Sequence, residues 1–181
     1  MRQATALNEQ HAPSADTPSW THIVSSPLLR CREFAVRTGE VVKLSVDVDD
    51  DWQEIDYGDW DGMPADEWRK VAAEQFKAFR EDLSALAPPN GETYLQFRDR
   101  VLSAWNNFVD YEDGSHLLVV THGGVLRVVL PHILGMPLNR SFPLHIPFAC
   151  FTRIKLEVEG NKVRPALIFH NGAEHPAPTA E

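Results

Sequence analysis

Apolar residues along this chain fall into two kinds of segment: short β-branched runs and longer stretches with helical spacing. The runs THIVSS (21–26), VKLSV (42–46) and HLLVV (116–120) predict strands, because β-branched residues favour extended backbone. HLLVV shows no apolar–polar alternation, which is typical of a parallel strand buried on both faces. Segments 65–86 and 92–110 repeat apolar residues with helical spacing. Strands that alternate with helices in this way predict an α/β fold.

Turn and cap residues set the expected ends of these elements. Ser26 and Pro27 predict a helix start, with the serine as N-cap and the proline in the first turn, and Gly39 predicts the end of that helix. A further helix is predicted after HLLVV, and Pro131 inside it predicts a kink or a break. Residues 151–169 predict two strands around a Glu-Gly-Asn-Lys turn.

Length and charge narrow the class of protein. The 181 residues suit a single domain over 1–171, with a helix over 2–10 and a frayed tail over 172–181. A net charge of −9 disfavours nucleic acid and anionic membranes as partners. Cys31 and Cys150 form no CxxC motif and no secretory signal stands before them, so we expect reduced thiols in a cytoplasmic protein. No apolar run approaches the ~18–20 residues that a membrane span needs.

The stretch VVTHGGVLRVVL (119–130) places a histidine where a predicted buried strand passes into a helix. His122 then lies at the carboxyl end of a parallel strand, where ligands bind in open α/β sheets. The amino terminus of the helix offers unpaired N–H groups to an anion, and Gly123 lets an oxyanion approach the backbone closely. The alternative is a histidine that is merely hydrogen-bonded in a loop, and this stretch alone favours the alternative.

Two further residues are candidates, one for binding an anion and one for general acid catalysis. Arg30 lies one turn into the helix after THIVSS, near the same sheet edge, where a guanidinium can grip a phosphate in bidentate fashion; the alternative is a solvated helix arginine. Glu54 stands among the aromatic residues of WQEIDYGDWDG (52–62). Packing against them would desolvate the carboxyl, raise its pKa and suit a general acid, whereas the alternative is a solvated acidic turn.

The acidic residues between Asp47 and Asp61 raise the question of a calcium loop. The sixth position of such a loop would be Trp52 instead of glycine, and the twelfth would be Gly58 instead of glutamate, so the pattern excludes it. The histidines show no metal-ligand spacing, and no P-loop, GxSxG, HExxH or GxGxxG motif is present. We therefore expect neither a metal nor a cofactor.

Four motifs together resemble the histidine phosphatase superfamily, which has the phosphoglycerate mutase-like fold. They are SSPLLRCREFA (25–35), EIDYGDWDG (54–62), NGETYLQFRDRV (90–101) and VVTHGGVLR (119–127). Each motif is weak alone, whereas the four in this order are specific, and the resemblance covers about residues 2–158. It implies a three-layer α/β/α sandwich with a mostly parallel sheet, and a single phosphatase-like domain over 1–171.

Within the superfamily the chain is most similar to the alpha-ribazole phosphatase branch, through GDWDG, the HGGVLR helix and the segment after it. The short stretch between Gly62 and Asn90 favours a phosphatase over a mutase. The resemblance implies a phosphomonoester phosphatase of cobalamin assembly that acts on a small phosphorylated metabolite, alpha-ribazole 5′-phosphate, through a phosphohistidine. It also implies that Arg30 binds phosphate, that Glu54 protonates the leaving alkoxide, and that His122 steadies the transferring phosphoryl group.

The nucleophilic histidine of the family belongs to an Arg-His-Gly motif at the end of a first, central strand, and this chain contains no Arg-His-Gly. The resemblance therefore implies an amino-terminally incomplete chain that lacks this strand and leaves two unpaired strand edges. Other interpretations stay open: a noncatalytic phospho-ligand binding module, an inactive truncated product, or a broad-specificity phosphatase or mutase of the same superfamily.

Overall fold

A computed structural model describes residues 20–79, 81–159 and 162–172. They fall into two compact units, one formed by residues 20–145 and one that includes the residues described from 146 onward. The helix expected over 2–10 and the tail beyond Gly172 lie outside the described residues, and the extent of the domain stays a prediction. Among the described residues, no helix is both long enough and apolar enough to cross a membrane.

A parallel sheet organises the unit formed by residues 20–145. Its strands are β1 (His22–Ser25), β2 (Val46–Val48) and β3 (Leu117–Val120), in the order β2-β1-β3, and both pairings are parallel. Ser25 pairs with Val120 on one side and with Val48 on the other, so the three strands end together at one edge. Helices flank this sheet, which confirms the predicted α/β class.

The helices of this unit follow the predicted segments but differ from them at several ends. They are α1 (Leu29–Val42), α2 (Ala65–Val71), α3 (Ala73–Phe79), α4 (Tyr94–Asn106) and α5 (Gly123–Leu134). The long helix predicted over 65–86 is divided at Ala72 and ends in a 3-10 turn over Leu83–Ala85. At the start of α4, Thr93 and Gln96 form a capping box, in which each side chain bonds to the other residue's backbone.

The expected end of α1 at Gly39 is wrong, because the helix continues to Val42. Lys43 then ends it in the left-handed conformation, with φ 63° and its N–H donating to the Gly39 carbonyl. Gly39 is buried where the chain turns back, and a Cβ there would stand 2.6 Å from the Leu44 carbonyl oxygen. This glycine therefore serves close packing within the helix. Because the helix is longer, the strand predicted over 42–46 forms later, at Val46–Val48.

The break predicted at Pro131 is also absent, since α5 runs unbroken from Gly123 to Leu134. Pro131 lacks the N–H that would bond to the Arg127 carbonyl, but its side chain is fully buried and packs within the core while the helix continues for one more turn. Gly135 then ends the helix with φ 64°, in the left-handed conformation that glycine adopts most readily.

Apolar side chains of the sheet and helices form the core of this unit. Ile23 of β1, Ala35 of α1, Val101 of α4 and Val125 of α5 have no exposed surface. Trp52, in the acidic loop that follows β2, is buried and stacks on Phe108, with ring centroids 5.2 Å apart. The loop after β2 is thereby anchored to the segment that follows α4.

Backbone contacts join two surface loops. The Asp59 N–H donates to the Pro89 carbonyl at 3.0 Å, and the Glu92 N–H donates to the Asp56 carbonyl at 2.8 Å. Gly58 has φ 52°, and a Cβ on it would collide with the backbone of the 89–91 segment. A Cβ on Gly91 would stand 2.6 Å from the Asp56 carbonyl oxygen. The two loops therefore approach each other through glycine backbone.

The second unit contains the hairpin that the sequence predicts. Strands β4 (Thr152–Glu159) and β5 (Lys162–His170) pair antiparallel, with a bulge between Arg153 and Ile154. None of the described side chains of this unit is buried, although a two-stranded sheet alone is marginally stable in water. In the described part of the chain β3 has a strand partner only on its β1 side, and β4 and β5 pair only with each other. Whether the chain lacks a central strand stays a prediction.

The packing around Gly39 generates a stability prediction. Replacing a helical glycine by alanine normally stabilises a protein by about 0.5–1 kcal/mol. Here we expect Gly39→Ala to destabilise by about 1–3 kcal/mol, because the new Cβ overpacks a site that cannot expand. Urea unfolding measures the change. Arg37→Ala, an exposed position of the same helix, should stay within about 0.5 kcal/mol of the parent. A stabilised Gly39→Ala would contradict the packing.

Candidate active site

The pairing of β1 with β3 brings the predicted site residues to one sheet edge. The Ser26 N–H donates to the Val120 carbonyl at 2.9 Å, which extends the parallel pairing one step past β1. His122 follows β3 and is the N-cap of α5, and Arg30 is the second residue of α1. The two side chains meet: Arg30 Nε donates to His122 Nδ1 at 3.2 Å. The structure thus brings together the arginine and histidine that the sequence singled out.

The contacts of His122 define its tautomer. Arg30 Nε can only donate, so Nδ1 of His122 accepts and carries no hydrogen. Nε2 then bears the proton and donates to Ser26 Oγ at 2.7 Å. The imidazole is 7% exposed, and its two nitrogens have partners on different segments. His122 is therefore a neutral, oriented side chain.

Burial and two neighbouring cations reinforce the neutral state. Burial first, then the charges of Arg30 and Arg100, lower the pKa of His122 to about 4 from its ordinary 6.5. Cys31 lies beside the ring, with Sγ 3.5 Å from Nε2, and its thiol donates to the Thr121 carbonyl at 3.4 Å. Burial raises the pKa of the Cys31 thiol. Cys31 and Cys150 are both free thiols.

Glu54 lies at the amino terminus of α5, next to this group. Its Oε2 accepts from the Gly124 N–H at 3.0 Å, and its Oε1 accepts from the Ile55 N–H at 3.2 Å. Burial is the largest influence on the carboxyl and raises its pKa, which the two backbone donors only partly oppose. The direction is the one that the aromatic surroundings predicted, and it suits a proton donor.

The two glycines at the start of α5 have different tasks. A Cβ on Gly124 would collide with the Glu54 carboxyl, so only glycine leaves room for that group. Gly123 is the first residue of the helix, and its N–H has no acceptor within the helix. The helix dipole places a partial positive charge there. This N–H and the exposed residue Arg30 can both donate to an anion.

Sequence reasoning missed part of this arrangement. Ser26 was expected to cap α1, but the N-cap is Leu28, and Ser26 Oγ instead accepts from the Leu28 N–H and from His122. The contact of Cys31 with His122 spans 91 residues and left no sequence signal. Within the described ranges, no three His, Cys, Asp or Glu side chains gather as a metal site would require.

This constellation of an arginine, a histidine at a helix start and a buried carboxyl is chemically suited to phosphoryl transfer. The model of the histidine phosphatase superfamily, branch 1, matches residues 1–166. The chain belongs to the histidine phosphatase superfamily.

Two relatives are similar to this chain in sequence. A bifunctional protein of Mycobacterium tuberculosis is 29% identical over 138 residues, which are 76% of this chain and 38% of that protein. The chain thus spans about two fifths of the length of this mycobacterial relative. The adenosylcobalamin/alpha-ribazole phosphatase of Escherichia coli is 27% identical over 141 residues, which are 75% of this chain and 70% of that enzyme.

Solved structures share the fold. A mycobacterial glucosyl-3-phosphoglycerate phosphatase in complex with inorganic phosphate is 26% identical and superposes with a TM-score of 0.77, over 95% of this chain and 84% of that one. A putative alpha-ribazole-5′-P phosphatase from Escherichia coli is 24% identical and superposes with a TM-score of 0.76, over 94% of this chain and 80% of that one. The second likeness, at this identity, concerns the fold alone.

The lowered pKa of His122 predicts a pH dependence of stability. Between pH 6.5 and about 4, the unfolded chain binds a proton at this residue that the folded chain does not. The free energy of unfolding should therefore fall as pH decreases through this window and level off below it. Glu54, whose pKa is raised, contributes with the opposite sign, because the folded state holds its proton more tightly.

Urea unfolding between pH 7 and pH 4 isolates the histidine when the parent chain is compared with His122→Gln. The difference between the two free energies should shrink toward acid pH. A constant difference across the window would contradict the assignment of a buried neutral imidazole.

Proposed function

We propose that the complete protein is a phosphomonoester phosphatase that works through a phosphohistidine. The single observation that carries the proposal is the meeting of Arg30, His122 and Glu54 at the amino terminus of α5. Each group has a separate task in phosphoryl transfer: binding the anion, stabilising charge on the phosphoryl oxygens, and protonating the leaving oxygen.

The contacts support an order of events. In the described residues the Arg30 side chain has one hydrogen bond, to His122, so its remaining N–H groups serve an incoming phosphate. The phosphate dianion favours protonation of His122, which then donates from both nitrogens and releases the arginine. Glu54 keeps its proton near neutral pH more readily than an exposed carboxyl does, and gives it to the leaving alkoxide.

The nucleophile in this proposal is a histidine of an Arg-His-Gly segment on a further strand. The side of β3 that faces away from β1 has no strand partner in the described residues, and Leu117, Val119 and Val120 there are only half-buried. A strand paired at this edge would end beside His122, because parallel strands of one sheet finish together. Its histidine takes the phosphoryl group from the ester oxygen, and water then cleaves the phosphohistidine.

The substrate class in this proposal is a small phosphorylated metabolite, with no nucleic acid or membrane partner. The finer proposal is alpha-ribazole 5′-phosphate, supported by the adenosylcobalamin/alpha-ribazole phosphatase among the relatives. A glucosyl-3-phosphoglycerate phosphatase is similar too, so the assay should compare both esters.

A second candidate is a binding module that holds a phospho-ligand without turnover. It is favoured by one observation: the anion-binding groups lie in this chain, while Arg-His-Gly does not occur in it. The next two experiments separate the candidates.

Glu54→Gln in a chain supplied with the Arg-His-Gly strand should slow the hydrolysis of alkyl phosphates by about 100-fold or more. Nitrophenyl phosphate should lose much less activity, because its leaving group needs little protonation. Steady-state kcat on both esters measures the contrast. Asp50→Asn, at an exposed position of the same loop, is the matched control and should leave both rates near the parent value. An equal loss on both esters would assign Glu54 a structural role.

The 181-residue chain alone should hydrolyse phosphate esters no faster than its His122→Ala variant, because a histidine placed for charge stabilisation is not aligned for in-line attack. A synthetic strand peptide with Arg-His-Gly, added in trans, should restore turnover. The same peptide with Arg-Ala-Gly is the control. Robust hydrolysis by the chain alone, abolished in His122→Ala, would contradict the proposed nucleophile. Phosphate binding without turnover under every condition would favour the binding module.

A further inference from the structure

The loop that carries Glu54 has four consecutive carbonyl groups held by two side chains. Arg100 Nη1 donates to the Asp51 carbonyl at 2.9 Å and to the Gln53 carbonyl at 3.0 Å, and Nη2 donates to the Glu54 carbonyl at 3.2 Å. Thr121 Oγ1 donates to the remaining one, that of Trp52, at 2.6 Å. Side chains from outside the loop thus bind every carbonyl from 51 to 54.

Arg100 is itself held in a fixed orientation. Its Nε and Nη2 donate to the two carboxylate oxygens of Glu92, both at 2.7 Å. The Arg100 and Glu92 side chains are 17% and 16% exposed, so water competes little for these bonds. A guanidinium has five N–H groups in one plane, and all five are used here: two on Glu92 and three on the loop.

The loop over residues 51–54 is connected to the candidate active site in two places. Thr121, which holds the loop at Trp52, directly precedes His122 in the chain. The Glu54 carboxyl at the end of the loop accepts from the Gly124 N–H. A shift of the loop would therefore move the carboxyl away from the start of α5.

A charge effect of Arg100 is the competing explanation, because its cation is close to both titratable groups of the site. For Glu54 and for His122, however, Arg100 is the smallest influence on the pKa, and burial is the largest. The hydrogen bonds of the planar fork are specific to arginine, whereas lysine would supply the same charge from a single point.

We propose that Arg100 is a positioning residue for Glu54, and that it acts through the geometry of its guanidinium fork, anchored on Glu92, on the carbonyls of residues 51–54. The catalytic meaning of this positioning rests on the proposed function. The positioning itself does not, so it can be tested on the 181-residue chain without any assay of activity.

The experiment compares Arg100→Lys, which keeps the charge and loses the fork, with Arg100→Gln, which loses both. Two signals report on Glu54: hydrogen exchange of the Gly124 amide, and the pH titration of the Glu54 carboxyl carbon in NMR, assigned with Glu54→Gln. Arg98→Lys is the matched control, because Arg98 lies on the same helix and pairs with the exposed Asp99. Exchange of the Ile23 amide, in the buried strand β1, reports whether the fold is intact.

We expect Arg100→Lys and Arg100→Gln to behave alike. Exchange of the Gly124 amide should accelerate by about tenfold or more, as expected when hydrogen bonds to a charged group are lost. The titration of Glu54 should move toward the ordinary carboxyl value, while Arg98→Lys matches the parent in both signals. A normal Arg100→Lys beside an altered Arg100→Gln would overturn the proposal in favour of charge, and two normal variants would overturn any positioning role.

Glu92→Gln keeps the test decisive if Arg100→Lys loses protection at Ile23. This variant keeps the arginine with its charge and carbonyl donors but removes the anionic anchor. It should accelerate exchange at Gly124 while Ile23 stays protected, and an unchanged Gly124 amide would overturn the proposal. Failure of the proposed function would appear elsewhere, as absent turnover with the Arg-His-Gly peptide, and would leave these signals unchanged.

Discussion

The parallel pairing of β1 with β3 is the constraint on which the site depends. Its register sets Ser25 opposite Val120, so the chain leaves both strands at the same height. Ser26, which directly follows Ser25, and His122, two residues after Val120, are therefore within hydrogen-bond distance although they lie 96 positions apart. A slip of one residue would turn alternate side chains to the other face of the sheet and separate these partners.

Burial of an imidazole at this position is tolerable because its nitrogens are matched by a hydroxyl and a guanidinium. A buried polar group without partners costs several times what an ordinary hydrogen bond contributes. The Gly124 N–H, two residues after His122, holds the Glu54 carboxyl at the start of α5. A carboxyl with a raised pKa and an imidazole with a lowered pKa therefore lie at the start of the same helix. Such displacement is what acid–base chemistry near neutral pH requires.

Much of this sheet edge and of the candidate site could be predicted from the sequence. β-branched runs marked β1 and β3, and the rule that ligands bind where parallel strands end grouped Arg30 with His122. The ends of helices were harder to predict from the sequence. Glycine often ends a helix, whereas Gly39 lies within α1 and allows close packing against Leu44. The Arg100 contacts lay beyond sequence reasoning, since they join positions up to 49 residues apart and follow no short motif.

The contact of the two loops through Gly58 and Gly91 affects which surface substitutions this protein can accept. Their path is set by backbone groups and by the carboxylates of Asp56 and Asp59, which accept from the Gly58 N–H and from Asn90 Nδ2, whereas the Asp61 side chain makes none of these contacts. A substitution at Asp61 would alter the electric field at Tyr57, which Glu54 also influences, while the loop keeps its course. Proteins built on this frame are therefore free to diversify the charge near their site, provided that the two glycines stay.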